Sequence, residues 1–329
     1  MPVTTARKCL MLGLACSVLQ TTAMASTLSL KVENDTFSRN SDGHYSNGFE
    51  LFWSFEPPQQ HWSRRLTNAV PGWSGSDVAN VSYRGGHQIY TPYNINYQRR
   101  IINDRPYAGL FFLGTSIFSN EQLDGWRKAR GLHLDVGMVG PAAGAEKIQR
   151  AVHKVTDSDE PMGWEHQLEN EPFINVGYDQ RWWKQNNLLG LLDIEYGPSA
   201  GFTLGNLYSY ISTGLGLRFG HRLDRSFSVP SVTPGRSGSQ YFTAGNGMSW
   251  YLFADIEGRY MAQNMLLDGN TWEDSHSVDR EEWVGDAKVG LAFTLSSWQL
   301  AVAQVWRTKE FTEQHEHDQF GSITLSKAF

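Results

Sequence analysis

Asp318-Gln319-Phe320-Gly321-Ser322-Ile323-Thr324-Leu325-Ser326-Lys327-Ala328-Phe329 closes the chain as an alternating strand whose last residue is aromatic. Its period of two places successive side chains on opposite faces of a sheet. The other end of the chain gives that strand a context. Arg7 and Lys8 precede a short apolar run from Leu10 to Leu19, and Ala23-Met24-Ala25 follows. Basic start, apolar middle and small residues before a cut at Ser26 are the layout of a secretory signal peptide. Residues 1–25 are therefore expected to be removed, leaving 26–329 as one exported domain.

Both cysteines, Cys9 and Cys16, fall inside that leader. The mature chain is left with no disulfide framework and no thiol nucleophile. A lipoprotein signal at Cys16 fits poorly, because in Gly13-Leu14-Ala15 the Leu stands one place too late. Beyond the leader no apolar run approaches the ~20 residues that a transmembrane helix needs. The mean hydropathy of -0.42 would suit a soluble protein. It suits a membrane barrel equally, since strands with every second residue apolar average out polar. Thirteen per cent aromatic content, with 12 Trp, 13 Tyr and 17 Phe, exceeds what a soluble domain needs. Aromatic girdles at two membrane interfaces would absorb it, and a large β-sandwich with an aromatic core is the alternative. The net charge of -6 is mild, and no basic block suits nucleic acid.

Period-two segments bounded by turn residues number twelve. They run at about 27–34, 46–55, 85–91, 107–118, 130–139, 172–183, 188–197, 208–219, 249–261, 282–295, 298–308 and 318–329. An even number closes a sheet without an unpaired edge and puts both chain ends on one side. The expected fold is all-β: a closed antiparallel transmembrane β-barrel of twelve strands, in the bacterial outer membrane, with both termini in the periplasm. Parity then makes Gln185-Asn186-Asn187 and Ser296-Ser297 short periplasmic turns. It sends 35–45, 92–106, 140–171, 198–207, 262–281 and 309–317 outside. Segments 56–84 and 220–248 are long for periplasmic turns. The first, with Trp62, Leu66 and Trp73, could form a small amphipathic cap.

Unusual polar residues gather on the outer rim under this assignment. Asn34-Asp35 ends strand one, His44-Tyr45-Ser46-Asn47-Gly48 begins strand two, and Asn103-Asp104-Arg105-Pro106-Tyr107 leads into strand four. After strand five, Gly140-Pro141 opens a stretch of Ala, Glu, Lys and Gln that should form a short helix in an extracellular loop. Gln149 and His153, four apart, share a face of that helix.

These segments together resemble the lipid A 3'-O-deacylase family of outer-membrane barrels. The resemblance rests on Glu-Asn-Asp at 33–35, Tyr-Ser-Asn-Gly at 45–48, Tyr-Thr-Pro at 90–92 and Asp-Arg-Pro-Tyr-Ala-Gly at 104–109. Gly-Pro at 140–141 with Gln149 and His153 follows, then Gln-Leu-Glu-Asn-Glu-Pro at 167–172. The resemblance implies a Ca²⁺-dependent hydrolase acting on lipid A of outer-leaflet lipopolysaccharide, removing the 3'-linked acyloxyacyl chain, as a monomer. It implies His153 as general base, Asp35 with Asn34 as the Ca²⁺ site, Ser46 where the family usually has Thr, and Gln149 one turn before the His. Arg99, Arg100 and Arg105 are the nearest candidates to meet lipid phosphates.

The chemistry is sound on its own terms. Imidazole titrates near neutral pH, and a hard cation on carboxylate and amide oxygens can steady an oxyanion. One carboxylate and one amide make a weak site, so other oxygens must complete it. Each residue also has a plain role: His153 a solvated loop residue, Asn34-Asp35 and Ser46-Asn47-Gly48 ordinary turn or strand-start chemistry, Asp104-Arg105 a salt-bridged turn. Two further functions stay open. His44 two residues before Ser46 resembles the outer-membrane phospholipase A motif, which would make Ser46 a nucleophile. A non-catalytic porin-like barrel is the other.

Overall fold

The computed structural model describes residues 25–37, 44–188 and 190–329. The signal peptide expected at 1–25 lies outside the described residues, apart from Ala25. Twelve antiparallel strands close into one barrel, each paired with its neighbours in chain order and β1 with β12. They are β1 (Ser26–Asn34), β2 (His44–Phe55), β3 (Val78–Thr91), β4 (Ala108–Leu123), β5 (Trp126–Val139) and β6 (Glu171–Leu188). The circuit continues with β7 (Leu192–Gly205), β8 (Tyr208–His221), β9 (Met248–Asn264), β10 (Trp283–Leu295), β11 (Trp298–Arg307) and β12 (Asp318–Ala328). Among the described residues three short α-helices join them: α1 (Trp62–Thr67), α2 (Ala145–Thr156) and α3 (Met265–Asp268). No helix among the described residues is long and apolar enough to cross a membrane.

The barrel closes through the strand that ends the chain. Leu30 faces Leu325 and Asn34 faces Gly321 across the β1–β12 seam, while Leu30 also faces Leu51 on β2. Along each strand the alternation separates two environments. Leu28, Leu30, Leu51, Trp53, Leu113, Ile174, Leu215, Leu252, Leu300 and Leu325 stand exposed on the outside. An apolar band of this extent is stable only against a partner such as lipid.

The inside is polar and crowded. Lys31 and Arg84 flank Glu50 at 3.1 and 3.0 Å, Arg181 meets Asp255 at 2.6 Å, and Arg259 and Arg307 both reach Asp286 at 2.8 Å. Charges taken out of water must be paired, and these are.

The two long connections on the termini side take different courses. Residues 222–247 turn back into the barrel. Ser82 Oγ donates to the Gly238 carbonyl at 2.8 Å and Ser116 Oγ to that of Ser237 at 3.0 Å. Arg236 reaches Glu257 on β9 at 2.9 Å. β3 and β9 lie half a circuit apart, so the segment spans the lumen. Residues 56–77 stay outside. Trp73 packs with Phe55, Val78, Val81 and Ile117, all on the outer face, and Trp62 Nε1 donates to Tyr83 at 3.0 Å. The amphipathic segment is thus a shelf on the outer wall rather than a cap.

Several sequence boundaries need correction: β3 begins at Val78 rather than near 85, and β4 runs on to Leu123 rather than ending near 118. Gln185-Asn186-Asn187 belong to β6, and residues 190–191, beyond them, are in turn conformation. β7 then runs through Pro198 to Gly205, a stretch expected to be mostly loop. Pro198 is tolerated because the β6–β7 ladder skips between Tyr196 and Ser199, where its missing N–H is not required. Gly201 is required because a Cβ there would collide with the Tyr178 carbonyl as well as with the end of the Arg236 side chain.

Candidate active site on the outer wall

Helix α2 begins after Gly140 and Gly144, whose φ values of 101° and 71° turn the chain sharply away from β5. It then lies against β3 and β4. The face it meets is the outer one. Gly109 shares parity with exposed Phe111 and Leu113, and a Cβ on Gly109 would collide with that of Ala145. Ile89, outward beside inward Tyr90, joins Ile95, Tyr107, Ala145 and Trp164 in one buried cluster. The face of α2 that carries Ala145, with Ile148 beside it, is thereby sealed to the lipid side of the barrel rim.

That seal buries the two polar residues which the helical spacing puts on one face. Gln149 is 3 % exposed and His153 8 %. Gln149 Oε1 accepts from Trp164 Nε1 at 2.8 Å, which fixes the amide's orientation. Its Nε2 then has no hydrogen-bond partner among the described residues. A buried amide donor left unsatisfied is costly and usually marks a place for a ligand or water. His153 Nδ1 lies against the backbone carbonyl of Asp159. A carbonyl can only accept, so Nδ1 carries the proton, and Nε2 is the basic nitrogen of the neutral ring.

The second group stands two strands away on the same rim. Asn34 Nδ2 donates to the Ser46 carbonyl at 2.9 Å, and Ser46 Oγ lies 2.7 Å from Thr91 Oγ1 at the end of β3. Thr91 follows inward Tyr90 and so points outward, and Ser46 Oγ, bonded to it, lies on the outer side as well. Asp35, 3 % exposed, borders a rim cavity of about 460 Å³ with His44, Tyr93, Tyr97, Asp104, Phe311 and Asp318. Asn34, Asp35 and Ser46 are thus brought together, and Gln149 and His153 form a separate set on the β3–β4 side of the same rim.

Asp35 and Asn34 offer oxygen donors of the type Ca²⁺ prefers. Their number falls short of the ~6–8 it takes. Among the described residues no three His, Cys, Asp or Glu side chains converge as a metal cage. The donor set fits an ion completed by backbone, water and substrate oxygens.

Several expectations change. A bulge in the β2–β3 ladder falls at Ser46, between Tyr45 and Asn47, and His44 adopts φ 54°. The period of two therefore fails here. His44 Nδ1 binds Asp318 at 2.6 Å, and its Nε2 lies 3.6 Å from Asp104. Its ring is committed to two carboxylates, and Ser46 to Thr91, which removes the geometric basis for a Ser46–His44 pair. Arg105, expected near lipid phosphates, is 1 % exposed; it sits over the Tyr90 ring at 4.6 Å and 3.4 Å from Glu310. Exposed Arg99 and Arg100 are left as that loop's open guanidinium groups. Burial alone would raise the Asp104 carboxyl, but His44 and the amides of Tyr93 and Arg105 hold it below the usual range. Thr91 and Gly109 lie inside motifs that carry the resemblance but had no role assigned, and sequence reasoning missed Trp164 altogether, since it carries no spacing signal.

Comparison with known proteins bears on the family and the fold. The family model described as outer membrane protein LpxR matches residues 8–329. The solved structure of LpxR from Salmonella typhimurium superposes with a TM-score of 0.77 at 20% identity, covering 92% of this chain and 100% of that one. The β domain of the Bordetella autotransporter BrkA gives 0.46 at 10% identity, covering 93% and 100%. No curated protein matches in sequence.

Proposed function

The chain belongs to the outer membrane protein LpxR family, and on that premise we propose that it is an esterase removing the 3'-linked acyloxyacyl chain from lipid A in the outer leaflet. The observation that carries this reading is the position of α2. It presses Gln149 and His153 onto the outer wall of the barrel, where an acyl chain arrives from the membrane without entering the lumen.

His153 is the general base. Its Nδ1–H rests on the Asp159 carbonyl, so Nε2 takes the proton from a water as that water attacks the ester carbon. The imidazolium then returns the proton to the departing sugar oxygen. Gln149, held by Trp164, aims an amide N–H toward the region where carbonyl oxygen develops charge. Asp35 and Asn34 would hold Ca²⁺, which when bound supplies positive charge to the same oxygen. Ser46 fixes the β2 end through Thr91 and positions Asn34 through its carbonyl. Arg99 and Arg100 meet anionic groups of the lipid headgroup, and the loop-bearing rim faces the exterior.

The test is mass spectrometry of lipid A from cells with and without the gene, and with His153→Ala in its place. Loss of the 3' acyloxyacyl mass only with the unaltered gene is expected. Unchanged lipid A in all three overturns the reading.

A further inference from the structure

His44 is a non-glycine residue in left-handed backbone, an arrangement that persists only where surroundings hold it. What holds it is visible. Nδ1 binds Asp318 at the start of β12 at 2.6 Å, Gln314 Nε2 approaches the same nitrogen at 3.3 Å, and the ring stands edge-on to Phe311 at 5.3 Å. On its other side Nε2 faces Asp104 at 3.6 Å. Asp104 lies in the segment 92–107 between β3 and β4, and it organises that segment: its Oδ2 accepts from Tyr93 N at 2.7 Å.

The same segment reaches α2. Asn96 Nδ2 donates to Asp159 Oδ2 at 2.9 Å, and the Ile95 carbonyl accepts from Met162 N at 2.8 Å. Asp159 is the residue whose carbonyl holds His153 Nδ1. A path of contacts therefore runs from β12 through His44 and Asp104, and along the backbone from Tyr93 to Asn96, to the support of His153. Resting on the functional reading above, we propose that His44 is a positioning residue for the hydrolysis. It latches segment 92–107 across the rim and so keeps the carbonyl that orients His153 in place. His44 touches neither substrate nor the reacting atoms in this scheme.

Exposed Arg99 and Arg100 lie in the latched segment and give it a protease readout, whereas Arg105 precedes Pro106 and resists trypsin. In intact barrel, trypsin should cut after Arg99 or Arg100 at least tenfold faster in His44→Ala than in the wild type. Turnover on lipid A should fall roughly tenfold to a hundredfold in kcat with KM little changed, as expected when a base shifts by about an ångström. His44→Asn, which tolerates left-handed backbone and can still donate to Asp318, should recover part of both. His44→Ala combined with His153→Ala should be no slower than His153→Ala alone, since one acts through the other. Unchanged cleavage overturns the latch. Faster cleavage with full turnover, or multiplying losses in the double variant, overturns the positioning role. A wild-type protein inactive on lipid A fails the functional reading instead, and the cleavage comparison still decides the latch.

Discussion

Gly109 of β4 and Ala145 of α2 approach so closely that a single added methyl group on Gly109 has no space. The contact sets the height of α2 above the outer wall, and with it the placement of Gln149 and His153. Gly109→Val should lift the helix while leaving the ladder of β4 intact. Heat-modifiable gel migration should persist, and deacylation should fall by about two orders of magnitude, the scale of a misplaced catalytic group. Retained activity would show that the helix height does not matter.

His153→Ala should lower kcat by roughly three orders of magnitude, combining a typical general-base contribution with lost positioning. Gln149→Leu removes the orphan amide donor and should cost ~10²–10³ in kcat, as for an oxyanion donor. Trp164→Phe keeps the packing and frees the Gln149 amide to rotate, so its loss should be smaller than that of Gln149→Leu. An order in which Trp164→Phe is the worst of the three would point to packing rather than chemistry.

The strand count and the closing seam were legible because period two survives wherever one face meets lipid. The same rule misplaced β7, since Gly201 and Pro198 look like turn residues until Arg236 and the gap in the β6–β7 ladder are seen beside them. It also misplaced His44 relative to Ser46, because a bulge and a left-handed backbone angle have no signature in spacing. Segment 222–247 gave no hint of its course: its partners, Ser82, Ser116 and Glu257, sit on three separate strands. His153 and Gln149 could be named from helical spacing and the family motif. Trp164, which orients Gln149, could not, because its role depends on the fold of the loop.

The segment across the lumen bears on the porin alternative. Reconstituted in planar bilayers, the protein should show no stable open channel, because residues 222–247 join β3 to β9 through the interior. Removing 231–240 should produce conductance steps. Large steady currents from the unaltered protein would mean that the segment does not seal the barrel.

The phospholipase-like alternative rests on Ser46 alone, and His44→Ala does not separate the two mechanisms because His44 supports the rim in either case. Ser46 is the discriminating position. In the water mechanism Ser46→Thr should keep most activity, since it retains the hydroxyl facing Thr91. A serine-directed sulfonyl fluoride should leave the enzyme unlabelled at Ser46. Stoichiometric labelling with loss of activity would make Ser46 the nucleophile.

If Asp35 and Asn34 hold Ca²⁺, the few oxygens that they supply set how it binds. With so sparse a protein donor set, Ca²⁺ should bind weakly to the free enzyme and more tightly once substrate oxygens join it. Reciprocity then requires substrate to bind more tightly in the presence of the ion, by the same factor. Chelation should abolish deacylation, and Ca²⁺ should restore it better than Mg²⁺, which resists irregular oxygen ligation. Asp35→Asn keeps shape and burial but loses the charge, so it should raise the Ca²⁺ concentration for half-maximal rate by at least tenfold while the barrel still forms. Titrating rate against Ca²⁺ at two lipid A concentrations measures the coupling directly. Full activity in excess chelator, or a half-maximal Ca²⁺ concentration indifferent to both substrate and Asp35→Asn, would remove the ion from the mechanism.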